Sequence, residues 1–93
     1  MFVGILQLDL RIPGAFSLKD KRRVIRRVKD RASNKFNIAI AEVDYLDEHR
    51  LTRLGVTTVA NDRRVVQSAL DQVVNLIESQ PDIELLDYQV ETI

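Results

Sequence analysis

The amino-acid sequence predicts an α+β fold, a four-stranded antiparallel sheet with two helices on one face. Three observations point there. Segments of period-two hydrophobic alternation bracket two segments of helical period, in the order strand–helix–strand–strand–helix–strand. The connections are short, and no repeat, linker or low-complexity stretch interrupts them. A chain of 93 residues, 45% apolar and 30% charged, fits one domain over 1–93 with an adequate but thin core.

Each element has its own signal. In Phe2–Arg11, Leu6, Leu8 and Leu10 alternate with Gln7, Asp9 and Arg11, the pattern of a half-buried strand. Ile12-Pro13-Gly14 breaks it, and Ser17 stands at a helix N-cap with Asp20 as a weaker capping-box acid. From Leu18 to about Ser33, Val24, Ile25, Val28 and Ala32 fall on one helical face, with Asn34 as the expected C-cap. Phe36 to Asp44 reads as a second strand, Phe36, Ile38 and Ile40 alternating with Asn37, Ala39 and Ala41. The polar Tyr45–Arg50 stretch leads to a third strand, Leu51 to Ala60, rich in β-branched residues. Asn61 is the expected N-cap of a second helix, Asp62 to Ser79, whose apolar face holds Val66, Ala69, Leu70, Val73 and Ile77. Val65, Val74 and Leu76 widen that face. Pro81 ends the helix, and Ile83 to Thr92 forms the last strand. Two βαβ crossovers joined by a hairpin give the ferredoxin-like βαββαβ arrangement. Right-handed crossovers put the first and third strands at its centre.

The segments Pro13-Gly14-Ala15-Phe16-Ser17-Leu18-Lys19-Asp20-Lys21-Arg22, Phe36-Asn37-Ile38-Ala39-Ile40-Ala41-Glu42-Val43-Asp44 and Val59-Ala60-Asn61-Asp62-Arg63 resemble the bacterial YlxP-like family, which carries a numbered domain-of-unknown-function label. The resemblance runs through nearly the whole chain, including Ile83-Glu84-Leu85-Leu86-Asp87. It implies a ferredoxin-like fold and a small protein often encoded beside translation and ribosome-maturation factors. It brings no catalytic residues. Asp20 stands where relatives often have Glu.

Composition removes several classes. Fourteen Lys+Arg balance fourteen Asp+Glu, so no whole-molecule charge draws the protein to nucleic acid or membrane. With no cysteine, a disulfide scaffold, a thiolate zinc site and a cysteine nucleophile are excluded. The longest apolar run, Phe2 to Leu6, is too short for a bilayer span, and Gln7 and Asp9 break any signal-peptide pattern. The expectation is a cytoplasmic protein without membrane association.

Charge is nevertheless divided. Lys19 to Lys35 holds nine basic and two acidic residues, near +7, against a remainder near −7. On the helical wheel Lys21 falls on the apolar side and must snorkel or find a carboxylate. Lys19, Arg22, Arg23, Arg26 and Arg27 are the candidate phosphate-binding residues. Lys19, Lys21 and Arg22 oppose the helix dipole in the first turn, and free N–H groups there beside Gly14 suggest an anion site. The expected function is a non-catalytic accessory module binding ribosomal or structured RNA through phosphates. The alternative is a self-associating interaction domain whose arginines serve only salt bridges. Base reading is not expected, because the central strands lack exposed aromatics.

No cofactor, metal or catalytic centre is expected. His49, Asp47 and Glu48 are consecutive hairpin residues without a second histidine. Ser17 lacks a neighbouring base and is explained as a cap. Asp9, Glu42 and Asp44 lie on neighbouring strands in phases that do not force them together. The loop from Ile12 to Ser17 lacks the glycine-spaced pattern of acylphosphatases, which share this element order. Apolar residues outnumber what two helices can cover. If Ala39 and Ala41 lie beneath the helices, then Val3, Ile5, Phe36, Ile38 and Ile40 form an outer patch and a homodimer surface. A β-bulge that switches the phase is the other possibility.

Overall fold

A computed structural model describes residues 1–93. Strand β1 (Phe2–Arg11) is followed by α1 (Leu18–Lys35), β2 (Ala39–Asp44), β3 (Leu51–Ala60), α2 (Arg63–Glu78) and β4 (Glu84–Thr92). The strands form one antiparallel sheet in the order β2-β3-β1-β4, with β1 and β3 central as expected. Leu6, Leu8 and Leu10 pair with Val56, Leu54 and Thr52, so both central strands turn alternate residues toward the helices. Those three leucines are essentially fully buried, and each such side chain contributes about 1.5–3 kcal/mol. Helix α2 lies over β1, β3 and β4, while α1 runs along β2. At Gly4 the sheet leaves no room for a side chain beneath α2: a Cβ there would run into Val66 Cγ1 and Leu70 Cδ1.

Three sequence expectations shift. The Phe36 N–H donates to Ala32 O, which carries α1 to Lys35 and makes Phe36, not Asn34, its C-cap. Strand β2 consequently begins at Ala39. The N-cap of α2 is Asp62 rather than Asn61, its carboxylate accepting from the Arg64 N–H. The third shift moves the outer patch. Ile40 pairs with Val56 and faces the helices, and Phe36 and Ile38 also pack against the core. Phe36, Ile38 and Ile40 are therefore not on the open face. The larger residues go inward, where burial gains most, and the small Ala39 and Ala41 go outward beside Thr57 and Gly55. A bulge at Val43 leaves that residue against Gly55 on the open side. Of the expected patch, Val3 and Ile5 remain outside, joined by Val43 and Val59.

Candidate nucleic-acid interface

The register of α1 decides the fate of its cations. Its buried face is Lys21, Ile25, Val28 and Ala32, a spacing that keeps one side of a helix against the sheet. Lys21 is thereby carried into the interior, where it is fully buried. Its ammonium meets Glu42 Oε2 at 2.8 Å and donates to Tyr45 O at 2.8 Å and Leu51 O at 3.2 Å. Three donors meet three acceptors, so the carboxylate that the wheel demanded is supplied by β2. Thr52 also donates to Glu42, at 2.7 Å. Tyr45 has a positive φ of 61°, a conformation uncommon for aromatic residues, and its carbonyl is one of the groups Lys21 holds.

The start of α1 carries its own carboxylate. Ser17 Oγ accepts from the Asp20 N–H at 3.1 Å, and Asp20 Oδ2 accepts from the Phe16 N–H at 3.0 Å. This is the weak capping box of the sequence, and its carboxylate supplies the negative charge the first turn favours. Gly14 has no positive φ, and a Cβ there would meet nothing within 4 Å. The protein's own acid therefore stands at the helix start, where the sequence suggests an anion.

A second stripe of α1 serves packing. Arg27 makes a two-pronged pair with Asp82 at 2.7 and 2.5 Å, and Arg31 donates to Gln80 Oε1 at 2.8 Å. One turn apart, they tie α1 to the segment linking α2 and β4. Arg27 holds the Asp82 carboxyl below the usual carboxylate range, chiefly through these hydrogen bonds. Arg27 is thus engaged within the molecule. Arg23 stays exposed and only approaches Asp20, at 4.0 Å.

The remaining cations sort sharply. Arg11, Arg53 and Arg64 pair with Glu84, Asp9 and Asp62. Lys35, Arg50 and Arg63 lie over the rings of Phe36, Phe16 and Phe2. Apart from Arg31, which donates to the Gln80 amide, only Lys19, Arg22, Arg26 and Lys29 have neither an acidic nor an aromatic partner. All four belong to α1. At 100° per residue they span an arc of about 80° and an axial length of about 15 Å. Arg22, Arg26 and Lys29 border a shallow groove of about 280 Å³ with Asp30 and Glu42. Of the five candidates, Lys19, Arg22 and Arg26 lie in one unpaired row, Arg23 stands at its margin and Arg27 is paired with Asp82. Lys29 joins the row. Its place, three residues after Arg26 and seven after Arg22, was the available signal.

Two of the three strand carboxylates come together although their sequence phases did not require it. Asp9 and Asp44 both converge on Arg53, at 2.7 and 3.2 Å, on the open sheet face. Glu42 faces the other way, toward Lys21. His49, Asp47 and Glu48 are exposed on the hairpin tip. One exposed aromatic lies off the sheet, in a loop whose packing no sequence period reveals. Phe16, just before α1, is 74% exposed.

Fold and surface together define a small ferredoxin-like protein whose first helix bears an unpaired basic row on the helix side of the sheet. The chain belongs to the family described as "Protein of unknown function (DUF503)", whose sequence profile matches residues 3–90. It is 37% identical over 82 residues to "Uncharacterized protein YlxP" of Bacillus subtilis, covering 88% of this chain and 89% of that protein. Among solved structures it is similar to a de novo designed protein with ferredoxin fold, at TM-score 0.60 and 14% identity. That match covers 98% of this chain and 86% of the design. It is also similar to a C-terminal segment of the alpha subunit of aIF2 from Pyrococcus abyssi, at TM-score 0.51 and 13% identity. Here 92% of this chain and 49% of the other are covered. At these identities the structural likenesses speak to fold alone. No helix is long and apolar enough to cross a membrane.

Proposed function

We propose that the protein is a non-catalytic accessory module that binds ribosomal or other structured RNA through phosphates along α1. The observation that carries this is the sorting of cations: ten of fourteen have an intramolecular partner, and the four without one lie in a single row. A solvated face needs no such concentration, and self-repulsion along one helix costs stability. Phosphates supply the missing anions. Arginine at two of the four positions suits forked contacts to phosphate oxygens. Fluorescence anisotropy with a labelled ribosomal RNA fragment tests it. The variant K19Q/R22Q/R26Q/K29Q should lose most affinity, whereas R63Q/R64Q on α2 should lose little. Equal losses from both variants would defeat the assignment.

A second reading, self-association, is favoured by the apolar open face formed by Ile5, Ala39, Ala41, Val43 and Val59. A homodimer through it would leave both α1 rows on its outer sides, so the two readings are compatible. Sedimentation equilibrium at tens of micromolar, a range suited to modest interfaces (about −6 to −8 kcal/mol), should show twice 10.7 kDa. I5K/V43K should return the monomer. A wild-type protein sedimenting only at 10.7 kDa would remove this reading.

A further inference from the structure

The segment between β1 and α1 treats its apolar residues unequally. Ile12 and Ala15 are each 1% exposed, whereas Phe16 stands 74% exposed. The phenyl ring is nevertheless held in place. The Phe16 N–H donates to Asp20 Oδ2 at 3.0 Å. Arg50 Nε donates to Ala15 O at 3.3 Å, the Ile12 N–H donates to Arg50 O at 2.8 Å, and the guanidinium carbon sits 5.1 Å from the ring centroid. An ordered aromatic with a cation beside it offers a flat, electron-rich surface to solvent. Its chain neighbours supply charge: Lys19 opens the unpaired row three residues later, and Arg23 approaches the same Asp20 that holds the Phe16 backbone. Asp47 and Glu48 on the hairpin tip repel phosphate, which favours a strand leaving the ring along α1.

We infer that Phe16 is a stacking platform for an unpaired nucleobase, with Arg50 packing the ring and α1 holding the adjoining phosphates. This rests on the RNA reading and narrows it, selecting RNA with a splayed-out or single-stranded nucleotide over continuous duplex. Every base has a π-face, so the stack adds affinity without reading sequence. An apolar side chain of a protein partner is the competing occupant.

The test compares F16A and F16W with wild type on a single-stranded oligoribonucleotide and on a blunt duplex of equal phosphate number. F16A should weaken single-strand binding roughly tenfold or more, the scale of one base–aromatic stack, and leave duplex binding unchanged. F16W should retain affinity and show quenched tryptophan fluorescence on binding single strand. The ring's exposure keeps both variants foldable, which thermal melts check. If K19Q/R22Q/R26Q/K29Q abolishes RNA binding while F16A changes nothing, the platform is overturned, the phosphate reading stands and Phe16 belongs to a protein contact. If wild type binds neither RNA, both readings fall.

Discussion

Replacing Lys21 with Met removes the cation from the most enclosed polar cluster in the molecule. The ammonium has 1% side-chain exposure and the Glu42 carboxylate 15%. After K21M that carboxylate keeps only the Thr52 hydroxyl at 2.7 Å, and the carbonyls of Tyr45 and Leu51 lose their Nζ donor. Removing one partner of a buried pair costs about 3–5 kcal/mol. A domain of this size has roughly 5–14 kcal/mol in total. At about 4–8 °C per kcal/mol, the melting temperature should fall by roughly 12 °C or more. Because the cost comes from a stranded charge, K21M/E42M should recover part of it, making the double variant more stable than K21M alone. Thermal and urea denaturation followed by circular dichroism measure wild type, K21M, E42M and K21M/E42M. A K21M midpoint matching wild type, or a double variant whose loss is the sum of the single losses, would refute the reasoning.

Gly4→Ala should destabilise by about 1–3 kcal/mol, since its Cβ would lie 2.4 Å from Val66 Cγ1 and 2.8 Å from Leu70 Cδ1. V66A in the same chain should restore part of the loss in denaturant melts. Gly14→Ala, with open space around it and no positive φ, should be neutral or stabilising by up to about 1 kcal/mol; a clear loss would mean the loop is tighter than described. Asp82 has a folded pKa depressed by Arg27, below an unfolded value of about 3.9. The tie between α1 and Asp82 is therefore fully present above about pH 4 and fades as pH falls through the lower folded value. Carboxyl NMR titration should find Asp82 low in wild type and nearer ordinary in R27Q, and an ordinary value in wild type would contradict the pairing.

Element order and both central strands were legible because each rests on a local period. Phe2–Arg11 and Leu51–Ala60 form as read. The buried position of Lys21 was legible too, since three neighbours at helical spacing fixed its side of α1. The start of β2 was not. Alternation at Phe36, Asn37 and Ile38 looks the same whether the backbone pairs with β3 or closes a helix, and the Ala32–Phe36 hydrogen bond settles it. The fate of α1 cations depended on groups far along the chain: Asp82 for Arg27, Gln80 for Arg31. A helical wheel places a side chain on a face but does not say what the rest of the fold brings there. Phe16 escaped for the same reason, because its exposure depends on how the loop packs against Arg50.

The salt dependence of RNA affinity tests the central claim most directly. Four phosphates neutralised on a single strand should give a slope of log affinity against log salt of about −3. Gln retains good helix propensity, so K19Q/R22Q/R26Q/K29Q should keep the fold while bringing that slope close to zero. R63Q/R64Q should leave it near −3. A wild-type affinity indifferent to salt, or a steep slope that survives loss of all four cations, would show that the row on α1 is not where RNA binds.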